Sequence, residues 1–282
     1  MSNFSIITDS TAYIPADLVK KYDICVAPQV LIWGEQTFQD GVDITPKEFY
    51  QRLQKSTVNP TTSQVTPATF HKIFKKILDD GKDILAILIS DKLSGTIASA
   101  NQASEMLPGA RIEVVDSNTT AMAMGFIVLA VAQAAQSGAS LAECKALAQK
   151  AVANVGVVFA VDTLEFLHRG GRIGGGARFL GTALNIKPIL ELRDGRIEAL
   201  ERVRTRTKSL NRLIELVEER IAGRSPIHIA TLHANAPEEA KNLLTEATNR
   251  LGAVESIFSD VSPVIGTHAG PGTVGLAYMA GL

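Results

Sequence analysis

Cysteine is scarce. The 282-residue chain has two, Cys25 and Cys144, too few for a disulfide framework or a thiolate metal site. Both read as buried structural thiols. Aromatic residues make up 5%, which leaves the interior aliphatic and argues against a base-stacking platform. Charge of one sign is lacking too: 28 Lys and Arg face 29 Asp and Glu, a net −1. No basic excess points to nucleic acid, and no acidic tail suggests a solvating segment. The opening "MSNFSIITDS" lacks the basic and apolar regions of a secretory signal. Long apolar runs are missing: the greasiest stretch, "AMAMGFIVLAVA" at 121–132, falls short of the roughly 18–20 residues that span a bilayer. It reads as a helix buried on most faces. These absences describe a soluble, cytoplasmic protein with no nucleic-acid partner and no integral membrane segment.

Catalytic signatures are equally sparse. None of His71, His168, His228, His233 and His268 stands in an H-x-x-x-H or H-E-x-x-H spacing, so no metal site is expected. No G-x-S-x-G elbow occurs. A Ser-His-Asp set can be assembled on paper from Ser94, His268 and Asp9, which keeps an acid-hydrolase-like enzyme as the alternative reading. The glycines of "RGGRIGGGARFLG" follow a helix-like run, so they fail the context of a dinucleotide site.

Hydrophobic residues supply 46%, enough for a sizeable core, and the length suggests about two domains. Through residue 155 strand-like and helical runs alternate. "NFSIITDS", the all-apolar "DILAILIS" and "RIEVVDS" read as strands of a parallel sheet covered on both faces. Helices are expected near 15–22 and 95–107, with "VLIWGEQTF" as a small hairpin. Thr45-Pro46 with Glu48, Thr66-Pro67, and Ser140 with Glu143 are helix starts. The second half mixes hairpins with helices. "KPILELRDGRIEALERVRT" turns at Asp194-Gly195, a strong hairpin signal. Residues 162–185 read as two short helices broken at glycines. The expectation is an α/β protein: a parallel-sheet domain over 1–155 and a mixed-sheet α+β domain over 156–282.

Polar pairs end three strands of the first half: Asp9-Ser10, Ser90-Asp91 and Asp116-Ser117. In open α/β sheets that rim borders the ligand crevice, although helix capping explains any single pair as well. In "SDKLSGTIASA" Ser94, Gly95 and Thr96 lie between a strand and a helix. Free N–H groups and the positive end of the helix dipole make a place for a small anion there. No P-loop lysine is present, which disfavours a nucleotide. "NPTTSQVTP" adds Thr61, Thr62, Ser63 and Gln64 as a polar loop. "GTHAGPGTVG" at 266–275 reads as a glycine-rich strand connection around His268, where the backbone comes close to another strand, a phosphate or a ligand head group.

Taken together, "ITDST", "PTTSQ", "LSGTIASA", "VVDS", "DTLEFLHRGGRIG", "LGTALNIKPIL" and "GPGTVG" resemble the DegV family, which includes the fatty-acid-binding subunits of bacterial fatty acid kinase. The matching stretches run nearly the whole length, in order. The resemblance implies two α/β domains with a lipid tunnel, one long-chain fatty acid as ligand, no other cofactor and no metal. It implies a carrier and not an enzyme: a separate kinase subunit makes the acyl-phosphate for phospholipid synthesis, with at most transient contact with a membrane surface. Carried over residue by residue, the carboxylate site falls on Thr62, Ser94 and Gly95, with His268 beside it. Arg172 and Arg204 match basic positions that meet the kinase. One departure is Val65, where many relatives have proline after "TSQ".

Overall fold

The run "DILAILIS" forms the strand from which the first unit is built. In the computed structural model, which describes residues 3–181 and 186–282, this strand is β6 (Asp83–Leu88), flanked by β1 (Phe4–Asp9), β2 (Cys25–Ala27) and β7 (Ile112–Asp116). The order is β2-β1-β6-β7, all parallel. Its apolar continuity has the expected cause. Leu85 and Ile87 enter one core, while Ile84, Ala86 and Leu88 enter another on the opposite face, so both faces must be greasy.

Helices α1 (Ala16–Lys21), α2 (Pro46–Leu53), α3 (Pro67–Asp79), α4 (Thr96–Glu105), α5 (Ala121–Gln136) and α6 (Leu141–Ala151) complete the first half. Capping boxes at Thr45/Glu48 and Ser140/Glu143 start α2 and α6. Thr66 caps α3 ahead of Pro67. Every residue from 121 to 129 is buried, because α5 lies between the parallel sheet and a second, larger one.

That second sheet runs β10-β9-β8-β13-β11-β12. Its strands are β8 (Val155–Ala160), β9 (Lys187–Arg193), β10 (Arg196–Val203), β11 (Ile227–His233), β12 (Glu255–Asp260) and β13 (Val274–Ala280). All neighbours are antiparallel except β11 and β12, which are joined through a helix. Helices α8 (Arg206–Ile221) and α9 (Pro237–Leu251) cover its outer face. Asp194 and Gly195, both at positive φ (51° and 78°), make the β9–β10 turn. Its tip reaches back to the first sheet: Ser90 Oγ donates to Gly195 O at 2.9 Å and Lys92 Nζ to Asp194 O at 2.7 Å. The chain thus has the expected α/β architecture, one parallel and one mixed sheet.

Three stretches differ from the sequence reading. "PTTSQ", read as a polar loop, contributes a strand, β5 (Thr61–Ser63). It pairs antiparallel with β3 (Val30–Trp33), which also pairs with β4 (Gln36–Gln39). Three residues carry no period of their own, and the partner strand supplies the structure. "GTHAGPGTVG", read as a strand connection, begins inside a helix, α10 (Pro263–Ala269). Ser262 caps it, Pro263 opens it, and five of its seven residues are buried. Burial outweighs the poor helix propensity of Val, Ile, Gly and Thr. Of the two helices expected over 162–185, one is α7 (Glu165–Arg169) and the other a 3-10 segment, Gly174–Phe179. Residues 182–185 lie outside the described residues.

Candidate functional site

β5 and α10 meet edge to end, and that contact makes a polar pair. Thr62 stands on β5 opposite Leu31. His268, in the last turn of α10, places Nε2 at 2.7 Å from Thr62 Oγ1. Burial, and then the charge of Arg172, lower the imidazole pKa to about 4, so the ring is neutral at pH 7. Its Nδ1 is buried with no partner among the described residues. A proton there would be an unsatisfied buried donor, costing about 1–3 kcal/mol. With the proton on Nε2 the ring donates to Thr62 Oγ1 and leaves the threonine O–H free to point elsewhere; with it on Nδ1 the threonine donates to the ring.

A second hydroxyl is arranged the same way. Ser94, in the loop before α4, lies 2.8 Å from Thr96 Oγ1. Thr96 in turn accepts from Gln29 Nε2 at 2.9 Å. The amide nitrogen of Gln29 is also drawn to the carboxylate of Asp9, whose pKa burial raises despite hydrogen bonds from Thr11, Ile89 and Gln29. Thr96 Oγ1 thus links the Gln29 amide to the Ser94 hydroxyl, with either hydroxyl able to donate in the Ser94–Thr96 bond, and such chains strengthen cooperatively. Gly95 is the N-cap of α4, which no side chain caps. A Cβ on Gly95 would lie 3.2 Å from Gln64 Nε2, so this glycine lets Gln64 settle against the loop.

Thr62, Ser63, Gln64 and Ser94 form one wall of a cavity with about 860 Å³ of empty space, its open mouth included. The rest of the lining is mostly apolar. Ile197, Leu192 and Val157 stand in register across β10, β9 and β8, and all three line it with Phe159 and Leu232. Gly275 sits between those last two across the sheet. A Cβ there would meet Phe159 Cβ at 2.7 Å and Leu232 Cδ1 at 3.1 Å. Two more lining residues, Tyr13 and Ala121, hold φ of 57° and 56°. Such left-handed non-glycine residues cost about 1–3 kcal/mol each and cluster at functional sites.

The DegV family model, described as "Uncharacterised protein, DegV family", matches residues 3–281. The chain belongs to the DegV family. A DegV domain-containing protein of Streptomyces coelicolor is 39% identical over 275 residues, covering 96% of each chain. A solved DegV family protein from Thermus thermophilus, described as binding fatty acid, superposes with a TM-score of 0.93 at 34% identity, over 98% of this chain and 99% of its own. DegV of Bacillus subtilis, described as a fatty acid binding protein, gives 0.90 at 32%, over 99% and 100%.

Within this DegV fold, the residues singled out in the sequence divide. Thr62, Ser94, His268 and Arg172 all line the cavity; Gly95 and Arg204 do not. Arg172 bridges two loops, its Nε donating to Leu93 O at 3.2 Å and a terminal nitrogen to Gly170 O at 2.8 Å. Arg204 stands exposed just past β10. The paper triad of Ser94, His268 and Asp9 is not assembled: Ser94 bonds Thr96, His268 bonds Thr62, and Asp9 accepts from Thr11 and Ile89. The polar strand ends mainly serve local turns. Asp9 accepts from Thr11 N, and Asp116 from Asn118 N. Sequence reasoning missed Gln29, Tyr13 and Thr120, which also line the cavity. Gln29 lies outside any polar cluster in sequence, and its meeting with Thr96 is purely tertiary. Among the described residues no three His, Cys, Asp or Glu side chains converge as metal ligands, and no helix is long and apolar enough to cross a membrane.

Proposed function

We propose that this chain binds one long-chain fatty acid, with the tail along the aliphatic walls and the carboxylate at Thr62 and Ser94, and presents that carboxylate to a separate fatty acid kinase. It acts as a cytoplasmic carrier and leaves the chemistry to the kinase. The observation that carries the reading is the union of an apolar cavity with two hydroxyls on its wall, Thr62 and Ser94, each hydrogen-bonded to a neighbouring side chain. The fatty acid binding described for the Thermus thermophilus and Bacillus subtilis relatives supports it.

The energetics agree. Burying about 14 methylenes of a sixteen-carbon tail at ~0.8 kcal/mol each is worth roughly 11 kcal/mol, against association costs of about 4–15 kcal/mol. Withdrawing the carboxylate from water costs several kcal/mol, and hydrogen bonds to a charged group return about 1.5–3 kcal/mol each. Two hydroxyls offset much of that cost. They do so without a bidentate guanidinium, which would occupy both oxygens and blunt the nucleophile. Arg172 and Arg204 then serve the contact with the kinase.

Solvent extraction of the purified protein followed by mass spectrometry tests the reading. About one equivalent of fatty acid per chain is expected. The same protein with a nucleoside triphosphate alone should form no acyl phosphate, and adding the kinase should produce it. A protein that carries no lipid and takes none up after delipidation refutes the proposal.

A further inference from the structure

Tyr13 and Ala121 both hold a left-handed backbone on the cavity wall, and Tyr13 also carries an unused polar group. It follows β1 as the residue that ends the single 3-10 turn Ser10–Ala12. Its surroundings are tied down from two sides. Ser259 Oγ of β12 donates to Tyr13 O at 3.4 Å, and Thr120 Oγ1, at the start of α5, donates to Thr11 O at 3.4 Å. Contacts with β12 and α5 therefore maintain the strained conformation.

The phenol is left over. Its oxygen is buried and meets no hydrogen-bond partner among the described residues. Burial, and then the charge of Asp40, hold its pKa well above the ordinary 10.0, so it keeps its proton and is a donor at neutral pH. The polar groups that act on it are engaged elsewhere. Ser262, whose hydroxyl and amide influence the phenol, caps α10 by accepting from Ile265 N at 3.5 Å. Asp40 accepts from Ser10 Oγ at 2.7 Å and from Val264 N at 3.4 Å.

Where this donor meets a ligand follows from α10. Ser262 caps the start of that helix and His268 stands in its last turn. Six positions at a rise of ~1.5 Å separate the two by roughly 9 Å. The head group lies at Thr62 and His268 in the reading above, so Tyr13, beside Ser262, meets the acyl chain well beyond the carboxylate. Val261 and Val264, on either side of Ser262 in the chain, line the same space with apolar groups.

A tail of plain methylenes serves that wall badly. Any water that satisfies the phenol in the empty cavity is displaced without replacement, which loses affinity. A buried polar group left unpaired is what rejects a ligand lacking its partner. A chain that brings an acceptor oxygen removes the penalty. A keto oxygen suits the site better than a hydroxyl, because it accepts from the phenol and brings no proton that needs an acceptor of its own.

We propose that Tyr13 is a specificity residue for long-chain oxo fatty acids, its O–H donating to a keto oxygen part-way along the chain. This rests on the fatty-acid reading above and names the class of acid.

The test uses the delipidated full chain with three probes: stearate, 10-oxostearate and 17-oxostearate. The parent should bind 10-oxostearate more tightly than stearate, and Tyr13→Phe should reduce that ratio about tenfold, the scale of one buried hydrogen bond. Phenylalanine keeps the ring, so a general loss of packing would show in the stearate arm as well. The infrared carbonyl band of 10-oxostearate, labelled with carbon-13 at the keto group, should lie at lower frequency in the parent than in Tyr13→Phe. The oxygen of 17-oxostearate lies at the far end of the chain and should show neither the Tyr13-dependent preference nor the band shift. A ratio unchanged in Tyr13→Phe, a carbonyl band at the same frequency in both proteins, or equal effects with 17-oxostearate overturns the proposal and leaves the fatty-acid reading standing. A parent that takes up none of the three acids removes the fatty-acid reading and the proposal with it.

Discussion

Helix α10 carries a titrating group at each end, and the two oppose one another. At its start Asp40 accepts from Val264 N at 3.4 Å and from Ser10 Oγ at 2.7 Å. Burial raises that carboxyl from 3.8 to about 6. At its end His268 is lowered from 6.5 to about 4. For Asp40 the folded state holds the proton more tightly than the unfolded chain, so acidification from about pH 6 toward 4 adds stability. For His268 the unfolded chain holds the proton more tightly, so stability is lost as pH falls from about 6.5 to 4. Each pKa unit is worth about 1.4 kcal/mol, so each contribution is about 3 kcal/mol, with opposite signs, and they nearly cancel. Denaturant unfolding of the parent, His268→Gln and Asp40→Asn at pH 7, 6, 5 and 4 checks this. Differences from the parent remove every other titration common to the set. Relative to the parent, His268→Gln should gain about 3 kcal/mol on acidification and Asp40→Asn should lose about as much. Difference curves that are flat, or that slope the same way, refute the reasoning.

Three other outcomes follow from the site. Thr62→Val and Ser94→Ala should each lower retained fatty acid and slow kinase-dependent phosphorylation, with little change in melting temperature; mass spectrometry and a coupled assay read both. Gln29→Leu should weaken fatty-acid affinity about fivefold through Thr96 and Ser94, the worth of about 1 kcal/mol for one hydrogen bond; an unchanged affinity would remove the relay. Leu192→Trp should shift the extracted lipids toward shorter chains by filling the aliphatic end, and an unaltered chain-length profile would move the tail's path elsewhere.

Much of the architecture was legible because the signals are local. Apolar runs such as 83–90 need no partner to be recognised as doubly buried strands. Thr45/Glu48 and Ser140/Glu143 satisfy orphan N–H groups within one turn. Asp194-Gly195 supplies two left-handed residues where a hairpin requires them. Thr62, Ser94, His268 and Arg172 could be singled out as polar residues in glycine- or hydroxyl-rich stretches that match the family's motifs.

What the sequence by itself determined is the kind of the elements with strong local signals and the stock of uncharged donors. Tertiary structure alone decided which donors face which. Thr62 and His268 are 206 positions apart and Gln29 and Thr96 are 67 apart; no periodicity links them. β5 exists because β3 pairs with it, and α10 because its buried face outweighs its weak propensity. The placing of each hydroxyl, and so the capacity to hold a carboxylate, comes from tertiary partners: the His268 imidazole at Thr62, and at Ser94 the Thr96 hydroxyl that the Gln29 amide bonds in turn. Desolvation, a property of the packed interior, is what keeps that imidazole neutral.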